Sequence, residues 1–184
     1  MGWGMFSQMQ FETRITWEKL FIEIRGLQPE DCASLIPLMI GTNAVIAPKE
    51  SYEAVFRQVH YLSFELYNKC EGKSENERWE LLRSYFFEQK KFQVLSSQWP
   101  EVQEGDLLMK PVLEKNIGHP LPLTLLYLHL ALATNLPVSL VQARQEYILK
   151  WVRPGCSSYL DMKTGLILSD CEIFQMLQKS SSNP

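Results

Sequence analysis

The sequence predicts an α+β domain: helices across the N-terminal two thirds, then a core helix packed on a small antiparallel sheet. Three observations carry this expectation. Apolar residues recur at helical spacing through roughly the first half of the chain. One segment, Leu121–Thr134, is apolar on nearly every face, the mark of a helix buried at the centre of a domain. Short apolar runs separated by turn residues then fill positions 138–168, as in a sheet of short strands.

Each element has a local reason. Thr16–Arg25, closed by Gly26, is the first expected helix, with Trp17, Leu20, Phe21 and Ile24 as its stripe. Pro29 opens a second, where Leu35, Ile36, Leu38 and Met39 are apolar and Pro37 shortens or kinks the path. Ser51 caps a long helix carrying Val55, Val59, Leu62 and Leu66. After a turn at Gly72-Lys-Ser74, Ser74-Glu-Asn-Glu77 forms a capping box, and Trp79, Leu82, Tyr85 and Phe86 point inward. Ser96–Gly105 is an expected loop, and Asp106 caps the approach to Val112. Pro120 and Pro122 suit the first turn of the core helix, where a missing N–H costs nothing. Asn135-Leu-Pro137 ends it. Strands are expected at Val138–Ala143, Tyr147–Val152, Ser158–Asp161 and Leu166–Leu168, with turns at Arg153-Pro-Gly155 and Lys163-Thr-Gly165.

Composition sets the outer bounds. The chain has 184 residues, 46% hydrophobic and 21% charged, enough for one full core without staples. A net charge of −3 leaves no basic footprint for nucleic acid. The core-helix segment is too short to span a bilayer, which takes about 20 apolar residues. MGWGMFSQMQF has neither the basic start nor the apolar run of a signal peptide, and Phe6 stands where a myristoylation site needs Ser or Thr. Cys32, Cys70, Cys156 and Cys171 follow no disulfide or zinc spacing, so buried structural thiols and a cytoplasmic location are the expectation. No cofactor or metal is implied.

The stretch VLEKNIGHPLPLTLLYLHLALATNLPV, Val112–Val138, resembles the SirB-type transglutaminase-like family, whose members read VLERRRGIPISLAILYLEIARRLGLPV. Leu81–Gln93 is similar to the family's LNRFLFEELGF segment. Tyr159–Leu177 is similar to its IDPFNGGRLLSEEDC segment, one residue shorter. The resemblance runs from Asp31 to Leu177 and is strongest after Leu81. It implies a transglutaminase-like domain over residues 31–178; the residues themselves predict a helical extension over 1–30 and a polar, disordered tail over 179–184.

The resemblance also implies where chemistry should sit. In transglutaminase-like enzymes a Cys opens the core helix, a His lies on a following strand and an Asp on the next. The helix N-terminus favours thiolate, the His shuttles the proton, and the Asp orients the His. In the SirB-type pattern the first of these positions is commonly Ser or another small residue. Here it is Pro122, which offers no nucleophile. The position matching the His is Glu146, and only Asp161 keeps the expected type. Two of three roles are empty. Glu146 and Asp161 are then expected on adjacent strands facing the start of the core helix, lining a former cleft beside His119. His119 is expected to line the former cleft or, as a loop His beside Pro, to be a capping or surface residue, and His129 to be a hydrogen-bonded core residue; His60 lies on an amphipathic helix.

At the start of the chain Trp3, Met5, Phe6, Met9 and Phe11 are large, apolar and without a clear period; either they pack on the domain or they form an exposed docking segment, a second candidate surface. Together these features predict a catalytically inactive domain that binds a protein partner, in a bacterial regulatory or assembly role. The cleft or the N-terminal segment would make the contact. The alternative is a hydrolase using Glu146 and Asp161 as acid and base, or one completed by a partner's residue.

Overall fold

The computed structural model describes residues 52–95, 107–143, 146–153 and 156–179. The helices expected at Thr16–Arg25 and after Pro29, the Ser51 and Asp106 caps, the loop at Ser96–Gly105, the Trp3–Phe11 segment and the end of the tail lie outside these residues. Among the described residues, the mixture of helices with small parallel and antiparallel sheets is the α+β architecture expected.

Helix α1, Tyr52–Cys70, buries Val55, Val59, Leu62 and Leu66 along one side. Helix α2, Glu75–Ser84, starts on the capping box: Ser74 Oγ accepts from the Glu77 N–H, and Glu77 Oε2 accepts from the Ser74 N–H at 2.9 Å. A π-helical turn, Tyr85–Gln89, then closes with the Lys90 N–H donating to the Tyr85 carbonyl. Tyr85 and Phe86 are both buried in this turn. Tyr85 Oη donates to Glu65, which also pairs with Lys90 and Lys69; Lys90 above all holds its carboxyl down to about 2. The π turn is thereby tied to α1.

Three short elements lead to the centre. Strand β1, Gln93–Val94, pairs in parallel with β2, Ile117–Gly118, and α3, Met109–Lys115, lies between them in sequence. Asn116 ends α3 in the left-handed conformation, which Asn tolerates. Gly118 is required by contact rather than by backbone freedom: a Cβ there would overlap the Val112 side chain.

Helix α4, Pro120–Ala133, is the core helix, with every residue from Leu121 to Leu128 buried. Its C-terminus is closed by Arg78, whose Nη1 donates to the Thr134 carbonyl at 2.6 Å. Asn135 turns the chain with φ 54°, where the sequence placed the stop.

Four antiparallel strands follow, β3 (Val138–Ala143), β4 (Glu146–Arg153), β5 (Cys156–Asp161) and β6 (Ile167–Leu168), in spatial order β3-β4-β5-β6. Val138, Tyr147, Leu149, Trp151 and Leu160 join the main core with α4. On the other face Ile148 packs with Ile173 of α5, Asp170–Lys179, along with Val141, Tyr159 and Leu168. The sheet is therefore covered on both faces. No helix among the described residues is long and apolar enough to cross a membrane.

Candidate functional site

The start of α4 is assembled from β2, the helix itself and β4. His119 is the N-cap, with extended φ −61° and ψ 147°. Its Nδ1 accepts the Leu121 N–H at 3.2 Å, and its ring is 3% exposed. This is a capping His, as expected, but a buried one. Its ring edge meets Tyr147 of β4, with centroids 6.3 Å apart and planes at 77°. Tyr147 is buried, and burial pushes its phenol up to about 12. At neutral pH such a group stays protonated and cannot serve as a general base.

The backbone N–H groups of the first helical turn are accounted for among the described residues. The first turn of a helix normally presents free N–H groups that bind anions or stabilise an oxyanion. Pro120 and Pro122 have none to present. The Leu121 N–H goes to the His119 ring, and the Leu123 N–H to the His119 carbonyl at 3.4 Å. Thr124, the nearest hydroxyl on the helix, donates to the Pro120 carbonyl at 2.7 Å. Pro122 itself is buried at the third helical position.

Asp161 departs from the expected arrangement. It pairs with Ile148 on β4, while its neighbours Leu160 and Met162 take the positions in the main core. Strand alternation thus puts its carboxylate on the face away from α4. There it organises the β5–β6 turn: Oδ1 accepts the Lys163 N–H at 2.9 Å and Oδ2 the Thr164 hydroxyl at 2.6 Å. Gly165 completes the turn at φ +70°. The expectation that Asp161 faces the start of the core helix is corrected by this register.

Glu146 opens β4 opposite Ala143, in alternate register to Tyr147, and its side chain lies outside the described residues, as does that of Cys156. Trp3 and Phe6 are outside them as well. The residue that β4 brings to the helix start is thus Tyr147, one position beyond the residue aligned with the family's His. No signal in this strand singled it out, because both faces of β4 carry apolar residues, Ile148 and Val152 on one and Leu149 and Trp151 on the other.

Two smaller expectations also change. His129 is only part-buried on α4, and its Nδ1 is enclosed without a hydrogen-bond partner among the described residues. Burial, with His60 nearby, lowers its pKa to about 4. Cys70 is a buried thiol whose pKa burial raises, but Cys171 is exposed on α5. Among the described residues no group of three or more His, Cys, Asp or Glu is placed to hold a metal ion.

Neither the curated proteins nor the solved structures contain a significant match to this chain. A family model does match, over residues 53–184, well beyond half of the chain. It begins at the first turn of α1 and takes in every described element after it, from the α2 capping box through the sealed start of α4 to α5. The chain belongs to the transglutaminase-like superfamily.

Proposed function

We propose that this protein is a degenerate, SirB-type member of the superfamily that has lost catalysis and binds another protein. The observation that carries the reading is the start of α4. Acyl transfer at a helix N-terminus needs a nucleophile there and backbone N–H groups aimed at the developing oxyanion. This helix has Pro122 in place of the nucleophile, a second proline at Pro120, and a His119 cap that takes the remaining early donor. Each change removes a different requirement. The hydrolase alternative is weakened by Asp161, whose two oxygens are engaged in the β5–β6 turn.

A domain freed from reactive geometry still offers a contoured surface for a partner segment. Ile117, 41% exposed beside the helix entrance, supplies apolar area, and the acid Glu146, the first residue of β4, would favour a partner carrying Lys or Arg. The apolar start of the chain, Trp3 to Phe11, offers a second contact. The regulatory or assembly role in a bacterial cytoplasm is part of the same proposal.

The test starts with a photo-crosslinking amino acid at position 117 of the full chain, and identification of the protein captured. Affinity for that partner is then measured by calorimetry. Glu146→Ala is expected to cost about 2–5 kcal/mol if the carboxylate is desolvated against a partner cation. Deleting residues 1–11 should weaken binding as well, with circular dichroism unchanged. Full affinity in both variants would overturn this assignment of the binding surface.

A further inference from the structure

Helix α1 packs on α2, α3 and α4, with Val55, Val59, Leu62 and Leu66 in the core, yet its outer side is not polar. Phe56, Phe64 and Tyr67 are 40%, 66% and 52% exposed in the whole chain, and Tyr61 beside them is 64% exposed. Glu53 and His60, also exposed, complete a single stripe that runs Glu53, Phe56, His60, Phe64, Tyr67. The Phe56 and His60 rings pack edge to face, 4.3 Å apart. Scattered exposed apolar residues need no explanation, but a contiguous aromatic strip on one helix marks an interaction surface.

The order of residues along the stripe points to its occupant. Their spacings are three, four, four and three, so the stripe reads alike from either end about His60. Its chemistry is symmetric too. A Phe stands four residues to each side of His60, and a hydrogen-bonding group, the Glu53 carboxylate or the Tyr67 hydroxyl, seven to each side. We propose that this strip docks on the same strip of a second copy of the chain, the two α1 helices antiparallel and the two-fold axis at His60. A two-fold contact joins one patch to itself, so that residue i meets j wherever j meets i. Phe56 then stacks on Phe64 of the partner subunit, and the reverse pair repeats the contact. Tyr67 donates its hydroxyl to Glu53 of the partner subunit. At the axis one His60 imidazole N–H donates to the ring nitrogen of the other. Glu53 is the stripe's one carboxylate, and a parallel pairing would set it against its own copy; the antiparallel one sets it against a phenol instead. The four exposed aromatics present roughly 400–500 Å² per copy, at about 200 Å² for a whole aromatic side chain. With the exposed Glu53, Arg57, His60 and Asn68 added, two copies would bury about 1,000–1,200 Å², the size of a weak, reversible interface.

Sedimentation equilibrium of the full-length protein tests the proposal. The parent should be a reversible monomer–dimer mixture with a Kd on the order of 10–100 μM, in keeping with so small an interface. Phe64→Glu should weaken dimerisation at least about a hundredfold, since each copy then sets a desolvated carboxylate against a Phe ring. Adding Phe56→Lys to that variant should restore the dimer, because the antiparallel register brings each new cation to a new carboxylate of the other copy. The two positions are eight residues apart, too far for the pair to form within one helix. Both side chains are exposed, so circular dichroism should be unchanged. A parent that stays monomeric well above that concentration range would overturn the proposal and leave the strip to an unlike partner. Dimerisation that survives Phe64→Glu would overturn it by placing the interface elsewhere. Failure of Phe56→Lys to rescue Phe64→Glu, with the fold intact, would overturn the two-fold antiparallel pairing.

Discussion

Trp79→Ala is expected to lower the unfolding free energy by about 3–5 kcal/mol, a large part of the stability of a domain this size. Trp79 is 1% exposed and joins three layers of the fold. It stacks on Trp151 of β4 with centroids 4.9 Å apart and meets Tyr127 of α4 edge to face at 6.3 Å. Trp151 is held in place from outside, since its Nε1 donates to Glu75 at 2.8 Å and Arg153 covers its ring at 4.3 Å. Removing the indole leaves a cavity that these fixed neighbours cannot close. Urea denaturation followed by circular dichroism at 222 nm provides the measurement. Trp79→Phe should retain more of the stability by keeping a ring in the stack.

Acidification is expected to destabilise the fold before most carboxylates take up protons. His129 titrates at 6.5 when unfolded and at about 4 in the folded protein, because burial first, and His60 second, oppose its charge. Its folded pKa is lowered, so the unfolded chain binds the extra proton between those values. Stability is therefore unaffected above pH 6.5 and falls as pH drops from 6.5 toward 4. The loss approaches about 2–3 kcal/mol, at roughly 1.4 kcal/mol per unit and allowing for partial exposure. A second decline, from about 4.5 toward 2, belongs to Glu65 as its links to Lys90, Tyr85 and Lys69 are broken. Denaturant midpoints measured from pH 7.5 to pH 3 should show both phases. In His129→Leu the phase above pH 4.5 should vanish and the Glu65 phase remain.

Much of this fold was legible because strong local signals agreed with the tertiary structure. The Ser74–Glu77 capping box, the apolar helix bounded by His119-Pro120 and Asn135, and the runs that became β3, β4 and β5 all form where their residues suggest. Elements held by tertiary contact were less visible. The β1–β2 pair has only two residues per strand, too few for any period. Helix α5 did carry a signal, Ser169-Asp-Cys-Glu172, and its Ser169 and Glu172 bond reciprocally.

The site was legible in part, and the reason lies in β4. A strand covered on one face needs only alternation to orient it, but Tyr147, Ile148, Leu149, Trp151 and Val152 are apolar on both sides. Alignment with the family put Glu146 at the His position, and nothing in the pattern distinguished it from its neighbour. The side of β5 that Asp161 takes was equally hidden, since it depends on the pairing with Ile148 and on the turn closed by Thr164 and Gly165. Pro122, in contrast, is where the resemblance places the nucleophile, and a proline there is plain from the sequence. What the structure adds is that the backbone of this turn offers no free N–H, through Pro120, Pro122 and the His119 cap on Leu121.

The most direct test of lost catalysis is turnover by the purified full-length protein. Peptide amides, activated esters and glutamine–amine transfer substrates would be presented together with iodoacetamide and epoxide probes for reactive thiols. No turnover above the uncatalysed rate is expected with any substrate, because no acyl-enzyme can form at Pro122. Labelling of Cys171, exposed on α5, would leave that prediction intact. Turnover that disappears in Cys156→Ser, Glu146→Gln or Asp161→Asn, with the fold retained, would contradict it.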